Sequence, residues 1–211
     1  MKNMEVRKTS LGQTALGLSY YPAEFLSKRK FKKLLKLDFT PQTLLDLGCG
    51  YDYLLTKNYI DKFEKVYLAD VSINQQSQKT QNNVEYLVGD IHESIKKLED
   101  KTIGFVYANN IFEHLDDPNS VLIDLQKVVS DDGVIYISVP SWFGKFFLEL
   151  FAFRLNIAPV EEMDDHKEYF NKKELWKMLV NAGIKPSSIK VKVGKFGLTR
   201  TAVIKKNLRF P

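Results

Sequence analysis

One cysteine in 211 residues, Cys49, excludes an intrachain disulfide framework and a Cys-rich zinc site, and it fits a reducing, cytoplasmic setting. No apolar core of a secretory signal is visible in Met1–Ser10. No uncharged run approaches the roughly 20 residues needed to cross a bilayer. The most apolar stretch, Trp142–Phe153, is too short and carries Lys145 and Glu149. No internal repeat and no Pro/Gly/Ser-rich linker divides the chain. With 44% hydrophobic and 27% charged residues, the composition is that of a soluble globular domain.

Charge of one sign is the scarcer in each of three unequal segments of the chain. Residues 1–40 hold nine basic and three acidic side chains, residues 41–165 ten basic and 21 acidic, and residues 166–211 twelve basic and two acidic. The net +5 thus hides an acidic middle between two basic ends.

The hydrophobic pattern alternates between strand and helix. Residues 22–37 predict an amphipathic, Lys-faced helix with Pro22 in its first turn. Strands are expected at Thr43–Leu47, Val66–Ala69, Val84–Val88, Ile103–Ala108 and Val134–Val139. Helices are expected between them at Tyr53–Phe63, Ile73–Gln81, Ile91–Leu98 and Ser120–Val129, with Asp117 as N-cap before Pro118. Asp131-Asp132-Gly133 reads as the turn before the fifth strand. Beyond Pro140 an aromatic and then acidic stretch interrupts the alternation. A helix at Lys172–Ala182 follows, closed by Gly183, and then β runs at Ser188–Val193 and Thr201–Lys205. Such βαβ alternation implies an α/β fold whose largely parallel sheet is covered on both faces.

The first strand enters Asp46-Leu47-Gly48-Cys49-Gly50, a glycine turn where backbone can approach a ligand. A dinucleotide site needs another glycine three residues after the second, and Tyr53 stands there instead. Asp70, at the end of the second strand, lies at the distance expected of a carboxylate that binds ribose hydroxyls. Asp90 ends the third strand. Three acids at successive strand ends repel a pyrophosphate and suit a cationic ligand that carries adenosine, which describes S-adenosylmethionine.

These motifs resemble those of class I S-adenosylmethionine-dependent methyltransferases, particularly the group acting on small molecules and lipid-like quinones. The likeness covers about residues 40–185 and includes Ala108–Leu115, a segment that often ends in Glu-His. It implies a Rossmann-like three-layer sandwich with a mostly parallel seven-stranded sheet and an antiparallel last strand. It also implies a basic helical segment at 1–40 covering the site, then a methyltransferase domain at 41–211 with a lid insertion at about 141–170. The resemblance places Asp46, Leu47, Gly48, Cys49, Gly50, Asp52, Asp70, Val71, Asp90, Ile91, Asn109 and Asn110 around the cofactor. Asp52 departs from the pattern, because a glycine is usual there; an aspartate could cap the following helix.

His114 is the candidate general base, with an ordinary pKa near 6.5; the alternative is a hydrogen-bonding loop histidine. Glu113 and His114 offer metal-binding chemistry, but no ligand spacing completes a set, so no metal is expected. Trp142, His166 and Tyr169 are candidate acceptor contacts. The acceptor expected is a small or lipid-like molecule. The Asn-Pro-Pro-aromatic motif of nucleobase amine methylation is absent, since Asn109-Asn110-Ile111-Phe112 stands there. The basic ends keep RNA as an alternative acceptor, and Asp52 keeps a non-catalytic binder as another.

Overall fold

The computed structural model describes residues 29, 31–32, 42–74, 82–144, 169–194 and 197–206. Seven strands form one sheet: β1 (Thr43–Leu47), β2 (Lys65–Asp70), β3 (Val84–Val88), β4 (Ile103–Asn109), β5 (Val129–Pro140), β6 (Ile189–Gly194) and β7 (Thr199–Lys205). Among the described residues, the helices α1 (Ile91–Lys96), α2 (Pro118–Val128) and α3 (Lys172–Asn181) accompany them. The strand order is β3-β2-β1-β4-β5-β7-β6. The pairs from β3 to β5 are parallel, and β7 runs antiparallel to both β5 and β6. This is the expected mixed sheet with its last strand reversed.

Adjacent residues of the central strands are both buried, because each face of the sheet is covered. One face carries Leu45, Leu47, Ala69, Val106, Ala108, Ile135 and Ile137, packed beneath α1, α2 and α3. The opposite face carries Leu44, Val66, Leu68, Phe105, Tyr107, Val134 and Tyr136. Phe31, from a helical stretch, covers that second face, its ring 4.7 Å from Tyr107 and edge-on to it. Most of the helix predicted over 22–37 lies outside the described residues, as do Gln75–Gln81 of the polar helix predicted after β2.

Local signals set the helix ends. Asp117 accepts from the Ser120 amide at 3.1 Å, with Pro118 opening α2. Asn171 and Glu174 cap α3 reciprocally, and Gly183 closes it at φ +84°, where an L side chain is strained. The edge strand β6 exposes Lys190 and Lys192, which discourages pairing with another sheet.

Two expectations need correction. Tyr53–Phe63 is no α-helix: it is a chain of turns ending in a 3₁₀ turn at Ile60–Lys62. Tyr53 takes a positive φ of 36° and buries its side chain against the second face, and Thr56 turns its hydroxyl inward. Anchoring these side chains overrides the helical spacing. Asp131–Gly133, expected as a turn, lies inside β5, which begins immediately after α2. The pairing moves from Ile103↔Val129 to Phe105↔Val134, so residues 130–133 stay unpaired with β4 where the register shifts.

Candidate functional site

The carboxyl ends of β2, β1 and β4 lie side by side, and β1 is the point where the strand order reverses between β2 and β4. In open α/β sheets ligands bind at such a switch point. Leu47 pairs with Ala69 on one side and Ala108 on the other, so the glycine turn starts between the ends of β2 and β4.

The turn is held from β2. The amides of Gly48 and Cys49 donate to the Ala69 carbonyl at 2.8 and 3.2 Å. The Gly50 amide donates to Asp70 Oδ2 at 2.8 Å, and Ser72 donates its amide to Asp70 Oδ1 at 3.3 Å. Gly48 has φ +72°, and a Cβ there would sit 2.9 Å from Ile111. Glycine at this place thus lets the loop after β4 close onto the turn.

Asp46 is buried, and Thr56 donates its hydroxyl to the carboxylate. Burial pushes its pKa up to about 7; the Thr56 bond opposes that rise and the Asp70 charge adds to it. Burial, reinforced by Asp46 and Asp70, also holds the Cys49 thiol neutral. Cys49 therefore serves as a small turn residue and is poorly suited to be a nucleophile.

Asp52 does not stand ahead of an α-helix. Its Oδ1 accepts from Asn74 Nδ2 at 2.9 Å, and the Asn74 amide donates to the Tyr51 carbonyl at 2.8 Å. Asp90 is exposed and caps α1 through the Glu93 amide at 3.2 Å. Ile91 packs into the helix-covered core, whereas Val71 is exposed beside Asp70.

Asn109 ends β4, and Asn110 follows at φ 56° with its amide on the Ser138 carbonyl at 2.8 Å. A 3₁₀ turn at Phe112–His114 then carries Glu113 and His114. His114 is half-buried. Glu113 is wholly buried, no side chain among the described residues donates to its carboxyl group, and burial pushes its pKa up to about 8 against a weaker pull from its own backbone amide. Among the described residues no cluster of three or more His, Cys, Asp or Glu could hold a metal ion.

At the end of β5, the Trp142 ring lies 5.6 Å from that of Tyr169, and its Nε1 donates to Glu174 Oε2 at 3.3 Å. The Phe170 amide returns to the Pro140 carbonyl at 3.2 Å, so the excursion between β5 and α3 leaves and re-enters at one point. His166 and residues 145–168 generally lie outside the described residues. The structure thus brings together Asp46, the glycine turn, Asp70 and the loop after β4, and separately pairs Trp142 with Tyr169. Sequence reading missed Thr56 and Asn74, since neither sits in a recognisable motif.

The residues present fit an adenosine-bearing cation. A carboxylate is fixed at the end of β2 by two amides, a glycine turn lies beside it, and a second acid, Asp46, is buried beneath.

The sequence model of a family described as "Methyltransferase domain" matches residues 19–189. A malonyl-[acyl-carrier protein] O-methyltransferase of Halalkalibacterium halodurans is 28% identical over 149 residues, covering 65% of this chain and 53% of that protein. The chain therefore spans about half the length of this curated relative. Among solved structures, a SAM-dependent methyltransferase from Archaeoglobus fulgidus aligns with a TM-score of 0.64 at 17% identity, covering 87% of this chain and 94% of that one. The plantazolicin methyltransferase, solved in complex with a triazolic desmethylPZN analogue and SAH, aligns at 0.61 with 14% identity, covering 88% and 84%. At these identities the structural likeness establishes the fold. Among the described residues, no helix is long and apolar enough to cross a membrane.

Proposed function

This chain belongs to the methyltransferase-domain family, and from that premise we propose that it transfers a methyl group from S-adenosylmethionine to a small-molecule or lipid-like acceptor in the cytoplasm. The observation that carries this reading is the Gly50–Asp70 clasp at the switch point of the sheet. The clasp fixes a ribose-binding acid beside a glycine turn.

When bound, the cofactor supplies a methyl group on a sulfonium, an electrophile that needs no covalent help from the protein. Asp70 and Val71 would hold the ribose and adenine side, with Asp90 and Ile91 beyond them. Asp46, Leu47, Gly48, Cys49, Gly50 and Asp52 would hold the methionine side, with Asn109 and Asn110 bordering it from β4. Asp70, and Asp46 once it has lost its proton, favour a cation there. Trp142 and Tyr169, joined by His166, would orient the acceptor and exclude water, so that its nucleophilic atom meets the methyl in line. His114 would take a proton from an acceptor hydroxyl; an acceptor with a nucleophile already deprotonated would not need it.

A second reading, a non-catalytic binder of the same cofactor, is favoured by Asp52 in the usual glycine position. Two measurements separate the readings. Calorimetric titration with S-adenosylmethionine and with NAD should show binding of the first alone. Mass spectrometry of metabolite, lipid and RNA pools should then show a +CH2 product that a Gly50→Arg variant fails to make. Binding without any product favours the binder, and binding of NAD alone would overturn the methyl-donor reading.

A further inference from the structure

The turn that should open onto a helix opens here onto a series of turns, so no helix N-terminus anchors residues 50–53. They are anchored sideways instead. Asn74 reaches back across the end of β2 with both ends, its amide on the Tyr51 carbonyl at 2.8 Å and its side chain on Asp52 Oδ1 at 2.9 Å. The same two loops are joined a few residues earlier by the Gly50 amide on Asp70. Tyr53 continues the attachment, its ring 6.1 Å from that of Tyr86 on β3.

We propose that Asp52 and Asn74 are positioning residues that tether the glycine turn to the loop after β2 and so hold the Gly50–Asp70 clasp in its ligand-ready geometry. On this view Asp52 is a functional replacement for the usual glycine. A glycine would leave the Asn74 side chain without this acceptor and the turn with only its backbone ties, the Asn74 amide on Tyr51 and the Gly50 amide on Asp70. Asp52 acts through the backbone it restrains and through Asp70. The inference rests on the methyl-donor reading.

The test uses the full chain with Asp52→Ala, Asp52→Gly, Asn74→Ala, the Asp52→Ala/Asn74→Ala double variant, and Asp52→Asn, which keeps an acceptor oxygen. Three quantities are read: the Kd of S-adenosylhomocysteine by calorimetry, hydrogen exchange of the amides at 48–53, and the thermal midpoint. Each alanine variant should weaken binding about tenfold, the equivalent of one hydrogen bond's net contribution. The Gly50 amide should exchange faster by a similar factor. The double variant should be no worse than the poorer single one, and Asp52→Asn should recover most of the loss.

Unchanged affinity and unchanged Gly50 exchange in folded variants would overturn the proposal. So would a lower midpoint with both of those quantities intact, which is the mark of a purely structural bond. Tighter binding by Asp52→Gly would also overturn it, because Asp52 would then be an obstacle. If the unmodified protein binds neither S-adenosylhomocysteine nor S-adenosylmethionine, the methyl-donor reading fails instead. Gly50 exchange in the same variants would still decide whether the tether exists.

Discussion

Thr56 donates its hydroxyl to Asp46 in the interior of the fold, ten residues along the chain and directly beneath the glycine turn. The bond partly offsets the cost of burying a carboxyl group, yet the pKa of Asp46 still lies near 7, well above the ordinary 3.8. Asp46 is therefore largely protonated in mildly acidic solution and becomes the natural counter-charge when a cation arrives.

Binding of S-adenosylmethionine should consequently release a proton from Asp46 below its pKa. At about pH 6 the apparent calorimetric enthalpy should vary with the ionisation enthalpy of the buffer, and that dependence should fade above about pH 8. Asp46→Asn should remove the part that Asp46 contributes and leave any titration of the ligand itself.

Glu113 should govern a second pH effect, this time on stability. Its pKa is raised to about 8 from 4.5 by burial, opposed only by its own backbone amide, and no side chain among the described residues donates to either oxygen. A raised acid contributes stability that is complete below the unfolded value and is lost as the pH climbs through the folded one. Glu113→Gln should therefore gain on the unmodified protein between about pH 5 and pH 9, by on the order of 2–4 kcal/mol. Urea unfolding across that range measures it; parallel curves would show that Glu113 finds a partner in solution.

Gly48→Ala should cost about 2–3 kcal/mol, from both its positive φ and the approach of Ile111 to 2.9 Å of the new Cβ. Adding Ile111→Gly, which removes the Cβ, Cγ1 and Cδ1 that the new methyl would meet, should relieve the steric part in a double-mutant cycle and leave about 1 kcal/mol of backbone cost. Strict additivity would mean that the loop after β4 does not rest on the turn.

On the acceptor side, Trp142→Ala should raise the acceptor KM while leaving the cofactor Kd unchanged, because its contacts are with Tyr169 and Glu174. His114→Ala should lower kcat by at least about 100-fold if the acceptor is a hydroxyl that must lose its proton. Steady-state kinetics on the acceptor found in the product search separates the two effects.

The order of strands and helices, the capping at Asp117, the stop at Gly183 and the position of the glycine turn were legible in the sequence. Each rests on hydrophobic spacing or on a hydrogen bond made within a few residues, and such signals are local. The acids Asp70 and Asp90 were legible for the same reason, each ending an apolar run.

What distinguishes this site depends on distance in the fold. Tyr53–Phe63 has helical spacing, but the burial of Tyr53 and the pull of Asp46 on Thr56 decide its course. Asp131–Gly133 has turn chemistry, yet it lies within β5 as part of a stretch that β4 skips between Val129 and Val134. Glu113 offered metal-binding chemistry beside His114 in the sequence, and only packing shows that it is wholly buried. Asp52 looked like a defect in a glycine motif until Asn74, 22 residues on, was found bonded to it. Adjacent residues set the elements of this protein, whereas desolvation and contacts between distant residues set the charge and shape of its site.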